Sequence, residues 1–319
     1  MVLFVSEAAI AFYLFRVPSD GLAMRRVYTR VENVSEPSAF EGRFAAGRPK
    51  PLREEDTAFL SVWIRPALAA GSDEVSRTIA VREHVHYAAP IGPERSAAAN
   101  PLPALREAIS RGAQPPEALC GTFARWLVAA ARAGGFEARL LHLRPETAGP
   151  GSPWLDPNTG HYTAEIFLPS QKVWVLMDAF YNSHFRLKGR LAGALDLHQA
   201  LRRLPSAGQV EVVQGPTQIR GMDARVLLPY FAHLAVIGDA AYLSGPEMLL
   251  RRERLQIVNW VDPGDPPLRP WDSLALQVLL YLGVGLVVGI VLLAGVGWSL
   301  GRAWWTALTP GHSGSRRSR

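Results

Sequence analysis

The chain has 319 residues, 48% of them hydrophobic, and a formal net charge of +6 at pH 7. This length suffices for a sizeable core and for one or two folded units. The basic residues are dispersed and are not interleaved with aromatic residues, so the charge predicts no nucleic-acid partner. A single cysteine excludes an intrachain disulfide, a zinc ribbon and a CxxC redox motif, and it makes Cys120 the only thiol of the chain.

Residues 1–70 show few signals of regular structure. The apolar start, residues 1–15, is interrupted by Glu7 and has no basic residues before it, so it matches a secretory signal poorly. A short strand is predicted around residues 27–31, and the prolines and glycines that follow, up to Leu52, indicate a loop. We therefore expect an N-terminal region of strand and loop.

The next segment, residues 71–205, alternates helical and strand patterns, and we expect it to form the core. Helices are predicted at residues 72–87, 102–109, 117–133 and 191–204, and strands at residues 136–143, 161–168 and 173–178. The prolines at 115 and 116 suit the first turn of a helix, where a missing N–H is no loss. Cys120 is therefore expected in the first turn of the helix at 117–133.

The last third of the chain contains a long apolar segment. Residues 206–272 read as a mixed extension that ends in a Pro-rich linker. Residues 273–300 contain no charged residue. A membrane-spanning helix needs about 20 residues, and this uncharged run is longer. We expect a transmembrane helix at 273–300 with a basic tail at 301–319, and hence a single-pass protein whose partners include the lipid bilayer.

The residues around this segment leave the side of the membrane open. Four arginines follow it and four precede it, namely Arg302, Arg316, Arg317 and Arg319 against Arg251, Arg252, Arg254 and Arg269. This even distribution favours neither orientation. Gly285 and Gly289 form a GxxxG pattern, which allows a helix-mediated oligomer.

His161 opens one predicted strand and Asp178 closes the next. In a hairpin, the loop length decides whether the two share a face, because side chains alternate along a strand. A two-residue loop at 169–170 places them directly opposite each other, and a four-residue loop at 169–172 makes them diagonal neighbours. In either case their Cβ atoms lie about 5 to 8 Å apart on one face. A three-residue loop would separate them.

These side-chain types fit thiol acyl chemistry, which needs a sulfur nucleophile, an imidazole that takes and returns its proton, and a carboxylate that orients the imidazole. The backbone N–H groups of a helix start favour a thiolate and can hold an oxyanion. We therefore predict Cys120, His161 and Asp178 as catalytic residues. On the residues alone, a buried and inert Cys120 beside a stripe of Leu and Phe is an equally open interpretation.

Two further patterns concern ligand binding. His84 and His86 form HxH, which could start a metal site, but no cluster of Cys, Asp or Glu accompanies them. No glycine-rich phosphate loop of the P-loop or dinucleotide type is present in the sequence. We therefore expect no cofactor and no metal.

The segments around the three residues resemble the bacterial transglutaminase-like superfamily. Residues 118–124 and 131–140 look like its nucleophile helix and the strand that follows, and residues 161–168 and 173–178 look like its His and Asp strands. The order Cys, His, Asp also matches. The similarity covers about residues 75–185.

The resemblance implies an α+β, papain-like core with a nucleophile helix packed on an antiparallel sheet. By that resemblance, Cys120 is the nucleophile, His161 is the general base and acid, and Asp178 orients the histidine. The substrate would be an amide or acyl group of a protein or peptide, passed through a Cys120 thioester to water or to an amine. Acyl transfer from a carrier thioester would use the same residues.

Two positions depart from the pattern of this family. Ala118 stands where a glycine is common, two residues before the cysteine, and Thr163 stands where a tryptophan is common soon after the histidine. The family also includes inactive relatives, so the alternative function is a catalytically inactive binding or assembly module at the membrane. In either case the expected location is the inner membrane of a bacterium.

Overall fold

The computed structural model describes residues 29–42, 52–92, 101–144, 160–203, 210–215, 218–221, 228–238, 255–263, 285, 288–302 and 304–305. The chain divides into two compact units. The first spans residues 18–270 and carries the sheet, and residues from 271 onward belong to the second.

In the described part of the first unit, β1 is followed by a run of helices and then by most of the strands. The helices are α1 (Pro37–Glu41), α2 (Glu54–Trp63), α3 (Arg65–Ala70), α4 (Glu74–His86), α5 (Leu102–Ser110), α6 (Cys120–Ala133) and α7 (Ala194–Arg203). The strands are β1 (Thr29–Val34), β2 (Ala138–Arg144), β3 (His161–Leu168), β4 (Val173–Asp178), β5 (Ser183–Leu187), β6 (Arg190–Leu191), β7 (Val210–Gln214), β8 (Gln218–Gly221), β9 (His233–Ile237) and β10 (Leu255–Trp260). A 3-10 turn lies at Leu228–Phe231.

The described strands form one mixed sheet. Its order is β1-β10-β9-β2-β3-β4-β5-β7-β8, with β6 paired to β5. Neighbouring described strands are antiparallel, apart from β1 and β10, which run parallel. Strands from the two regions that flank residues 71–205 therefore complete the same sheet as the predicted core.

Both faces of the sheet are covered by helices. On one face, α6 packs with α2 to α5 over an apolar cluster that includes Leu140, Ile166 and Val175. On the other face, α7 and α1 cover a second cluster that includes Leu141 and Leu176. Neighbouring residues such as Leu140 and Leu141 belong to different clusters because successive side chains on a strand point to opposite faces.

Helix α6 begins at Cys120, three residues after the predicted start at Glu117. The backbone before it is extended and tied to a neighbouring segment: the Ala118 amide donates to the Pro90 carbonyl (3.0 Å), and the Ala118 carbonyl accepts from the Gly92 amide (3.3 Å). Because this bridge holds the chain extended up to residue 119, Cys120 becomes the first helical residue.

The prediction of strand and loop for residues 1–70 is wrong for much of the described part, which contains α1, α2 and α3. Leu60, Ile64 and Ala67 stand four and three residues apart, which is helical spacing, and all three are buried in the cluster under α6. The helices form because this stripe has a core to pack against. The predicted strand is present as β1, shifted to Thr29–Val34.

The predicted transmembrane helix is described only in part. Residues 285 and 288–300 are helical, whereas residues 273–284 and 286–287 lie outside the described residues, as do residues 1–15 and the tail beyond 305. No helix in the described part of the chain has both the length and the apolar character needed to cross a bilayer.

A buried ion pair joins three layers of the first unit. Arg139 on β2 and Glu165 on β3 lie directly opposite each other, and the Arg139 Nε donates to Glu165 Oε2 at 2.7 Å. Arg139 Nη1 also donates to the Phe40 carbonyl (3.0 Å), and Glu165 Oε1 accepts from the Ala194 amide (2.6 Å). The pair therefore connects the end of α1, the sheet and the start of α7.

Replacing Glu165 by Ala should destabilise the protein strongly, because it leaves the Arg139 guanidinium buried without its carboxylate. The free energy of unfolding of the full chain, measured by urea denaturation, should fall by about 3–5 kcal/mol. The control is Glu107→Ala, since Glu107 is 59% exposed and pairs with Arg111 at the surface. That change should cost less than about 1 kcal/mol. Equal losses for the two variants would contradict the assigned role of the buried pair.

Candidate active site

Cys120, His161 and Asp178 meet at one end of the sheet. His161 is the first residue of β3, Asp178 is the last residue of β4, and Cys120 is the first residue of α6. Because β3 and β4 are antiparallel, the start of one strand lies beside the end of the other. The start of α6 reaches the same place, since the Cys120 thiol and the His161 ring lie close enough to shift each other's pKa.

The hairpin register brings the histidine and the carboxylate together. Leu168 pairs with Val173, which leaves a four-residue turn at 169–172. Loops of two and of four residues both place His161 and Asp178 on one face. The four-residue turn makes them diagonal neighbours. His161 Nε2 lies 2.5 Å from Asp178 Oδ2.

His161 and Asp178 do not lie on the face that α6 covers. Ala164 and Met177, which have the opposite parity along β3 and β4, belong to the apolar cluster under α6. His161 and Asp178 alternate to the other side of the sheet. They reach Cys120 because all three occupy the ends of their elements.

The sulfur and the imidazole favour their charged forms. Burial raises the pKa of Cys120, but the hydrogen bond and charge of His161 and the Tyr162 backbone N–H outweigh it, so the thiol pKa lies below its ordinary value. Burial lowers the pKa of His161, but the charge and hydrogen bond of Asp178, together with the contact to Cys120, raise it to about 10. A thiolate beside an imidazolium is therefore favoured between these two pKa values.

The orientation of the ring follows from its contacts. His161 Nε2 donates to Asp178, since a carboxylate only accepts, and this leaves Nδ1 to face the sulfur. The ring can therefore exchange a proton with Cys120 or with a substrate atom held near it, while its other nitrogen stays on the carboxylate. This is the division of roles that nucleophilic catalysis requires.

Backbone donors at the start of α6 complete the site. The amides of Thr122 and Phe123 donate to the Leu119 carbonyl, whereas the amides of Cys120 and Gly121 donate to no acceptor among the described residues. Unpaired N–H groups at a helix start carry a partial positive charge. They can hold an oxygen anion that forms next to the sulfur.

Two aromatic residues that the sequence reasoning missed flank the histidine. The ring centroids of Phe180 and Tyr181 lie 6.0 and 5.1 Å from that of His161, and the Tyr181 amide donates to Asp178 Oδ1 at 2.9 Å. Their position two and three residues after Asp178 was the signal that could have identified them. Cys120 is half-buried and Tyr181 is 50% exposed, so the site is open to solvent.

His84 and His86 have separate partners. The His84 ring packs on Trp63, with 4.8 Å between centroids, and His86 Nδ1 donates to the Ala179 carbonyl at 2.8 Å. Within the described ranges, no group of three or more His, Cys, Asp or Glu side chains could hold a metal ion.

Residues 70–179 match the transglutaminase-like superfamily, so the chain contains a transglutaminase-like domain that includes all three candidate residues. The chain is similar to a candidate cysteine protease from Cytophaga hutchinsonii, with 16% identity, a TM-score of 0.25 and coverage of 47% of this chain and 46% of that one. It is also similar to a candidate protease from Parabacteroides distasonis, with 10% identity and a TM-score of 0.29. This similarity covers 64% of this chain and 31% of that one. It therefore spans less than half of either solved chain. No curated protein matches the sequence.

The pH dependence of alkylation tests the charge state of Cys120. Iodoacetamide should reach its full rate at a lower pH than with an ordinary thiol, whose pKa is about 8.5, because the lowered pKa keeps more of the sulfur ionised. Asp178→Asn removes the carboxylate that favours imidazolium, so the midpoint of the profile should move up by about one unit, which lowers the rate about tenfold at pH values below both midpoints. Mass spectrometry of the full chain between pH 5 and 10 gives both profiles.

The matched control for this measurement is Asp196→Asn. Asp196 accepts a hydrogen bond from the Gly193 amide at the start of α7, and this replacement should leave the alkylation profile unchanged. An alkylation midpoint of about 8.5 in the unsubstituted protein would contradict an ion pair between Cys120 and His161.

Proposed function

We propose that this protein is a cysteine-dependent enzyme that cleaves or transfers amide or acyl groups of proteins or peptides. The observation that carries the proposal is the continuous chain of contacts from the Cys120 sulfur through His161 to Asp178. The matching transglutaminase-like domain supports the same kind of chemistry.

In the first half of the reaction, the Cys120 thiolate attacks the substrate carbonyl carbon. The amides of Cys120 and Gly121 hold the resulting oxyanion, which would otherwise have to form without a donor. The His161 imidazolium then gives its proton to the departing nitrogen, so the amine leaves neutral and a thioester remains on Cys120.

In the second half, water or an amine attacks the thioester. His161, now neutral, takes the proton of the attacking group while Asp178 holds the ring in the same orientation. Collapse of the second oxyanion releases the thiolate and restores the starting pair. Hydrolysis and transfer thus differ only in the acceptor, and a carrier thioester could serve as the donor in place of an amide.

The two departures from the family pattern are compatible with activity. Ala118 is buried, and its backbone groups form the bridge to Pro90 and Gly92 that ends just before the nucleophile. Thr163 is buried between β3 and β4, where its hydroxyl donates to the Met177 carbonyl at 3.2 Å. Neither side chain takes part in the hydrogen bonds that join Cys120, His161 and Asp178.

We further propose that the apolar segment at 273–300 anchors the enzyme as a single-pass protein in a bilayer, the inner membrane of a bacterium. The support is its uncharged run and the exposure of the helical residues that are described, such as Val291 at 63% and Trp298 at 73%. Exposed apolar side chains on a helix with satisfied backbone groups suit a lipid environment. Gly285 and Gly289 would allow close packing if two such helices pair.

Acylation tests the role of the nucleophile and its base. The full chain should form a covalent acyl adduct on Cys120 with a p-nitrophenyl acyl ester, and Cys120→Ala should form none. His161→Asn should slow acylation by about 10²–10⁴-fold, because it removes the proton acceptor. The adduct is measured by intact mass and by release of nitrophenol, with and without an added primary amine.

The control for this experiment is His84→Asn, which removes a histidine that contacts Trp63 and not the thiol. Its acylation rate should stay within about twofold of the unsubstituted rate, as for a residue outside the reacting groups. A folded protein that gives no adduct would favour the inactive binding or assembly module, and activity in Cys120→Ala would rule out this mechanism.

Charge insertion tests the membrane anchor. The unsubstituted protein should stay in the membrane pellet after carbonate washing, and the double variant Val291→Arg with Leu292→Arg should move to the supernatant. An arginine at the centre of a spanning helix costs about 2.5–3.5 kcal/mol. The control Val62→Arg changes a valine of equal exposure, 62%, on α2 and should not alter the distribution. An unsubstituted protein found in the supernatant would contradict the anchor.

A further inference from the structure

The turn that joins β4 to β5, residues 179–182, surrounds the His161–Asp178 pair. The Tyr181 amide donates to the second carboxylate oxygen of Asp178, and the rings of Phe180 and Tyr181 lie against the His161 ring. The conformation of this turn therefore determines where the carboxylate points and what covers the imidazole.

The last residue of the turn has a left-handed backbone conformation and is bound from outside the turn. Asn182 has a φ of +50°, in the left-handed region that a non-glycine residue rarely adopts. Its carbonyl accepts from the Gly215 amide at 2.8 Å, and its side-chain Oδ1 accepts from Arg82 Nε at 3.1 Å. Asparagine tolerates this region better than other non-glycine residues, and these two contacts from outside the turn hold the residue in place.

Helix α4 supplies these contacts at both ends of the turn. His86 donates to the carbonyl of Ala179, the first turn residue, at 2.8 Å. Arg82, one helical turn earlier, binds Asn182, the last turn residue, and donates from Nη2 to the Gly215 carbonyl at 2.9 Å. Residues four apart share one face of a helix, so a single face of α4 holds the whole turn.

Burial of the Arg82 guanidinium costs folding free energy. It is completely buried, and its Nη1 lies 2.7 Å from His184 Nδ1. Since arginine only donates, Nδ1 must accept and Nε2 must carry the proton, yet Nε2 is buried with no hydrogen-bond partner among the described residues. Burial, Arg82 and Arg186 lower the pKa of His184 to about 3, so the ring is neutral.

An apolar filling of the same space would avoid a buried guanidinium and a buried unpaired N–H. The observed arrangement instead places a positive charge behind the turn that follows Asp178. Burial lowers the pKa of Arg82 to about 10, and Glu83, Asp178 and Tyr87 oppose that shift, so the guanidinium is charged at neutral pH.

We propose that Arg82 and His86 are positioning residues that hold the 179–182 turn and thereby keep the Asp178 carboxylate on His161. The inference rests on the proposed function, because it assigns these two residues a role in the same Cys120 chemistry. Neither side chain touches the reacting atoms, and both act through the turn.

The test compares alkylation profiles of full-length variants with iodoacetamide. His86→Leu removes the donor to Ala179 and should move the midpoint of the Cys120 profile up by about one unit, which lowers the rate about tenfold below both midpoints, while the limiting rate above pH 9 stays within twofold. His86→Gln can still donate and should keep at least half of the rate. Arg82→Met should produce a drop at least as large as His86→Leu. The matched control is Arg77→Met on the same helix, because Arg77 binds the Gly71 carbonyl and not the turn.

A double variant separates positioning from a general loss of stability. In an Asp178→Asn background, His86→Leu should give no further decrease, since the turn acts through the carboxylate. Circular dichroism verifies folding, and if Arg82→Met does not fold, the two His86 variants decide the question. An unchanged profile in folded His86→Leu, or full additivity with Asp178→Asn, would overturn the positioning role. An ordinary thiol midpoint in the unsubstituted protein would overturn the proposed function as well.

Discussion

The hydrogen bond between His161 and Asp178 is the interaction on which the candidate site depends. It joins the start of one strand to the end of the next, so it depends on a hairpin register that places both residues on one face. It directs one ring nitrogen to the carboxylate and leaves the other for the Cys120 sulfur. The charge of Asp178 raises the pKa of the imidazole, and the resulting positive charge lowers that of the thiol. The protonation states of Cys120 and His161 therefore each depend on the neighbouring side chain.

The rest of the fold keeps these three element ends in one place. Helix α6 is held on the sheet by an apolar cluster, and the Ala118 bridge sets the residue at which the helix starts. On the opposite face, the ion pair of Arg139 and Glu165 connects α1, the sheet and α7. The apolar packing supplies most of the driving force, and the buried polar contacts select one arrangement of the elements.

The residues that support the site form two groups, one next to Asp178 in the sequence and one distant from it. Phe180 and Tyr181 follow Asp178 directly, so their presence near His161 is a local consequence of the turn. Arg82 and His86 stand almost one hundred positions earlier and reach the same turn through packing of α4 against the sheet. Contacts of this second kind leave no pattern in the chain near the residues that they support.

Local patterns in the chain were enough to identify most elements of the core and to select Cys120, His161 and Asp178, because helical and strand periodicities depend on neighbouring residues. The alternation of side chains along a strand also limited the hairpin to loops of two or four residues. Both lengths place His161 and Asp178 on one face, and packing of the folded sheet selected the four-residue turn. The start of α6, the helices of the first 70 residues and the contacts of α4 depended on partners distant in the chain. No local pattern encodes such partners, since they come together only when the layers pack.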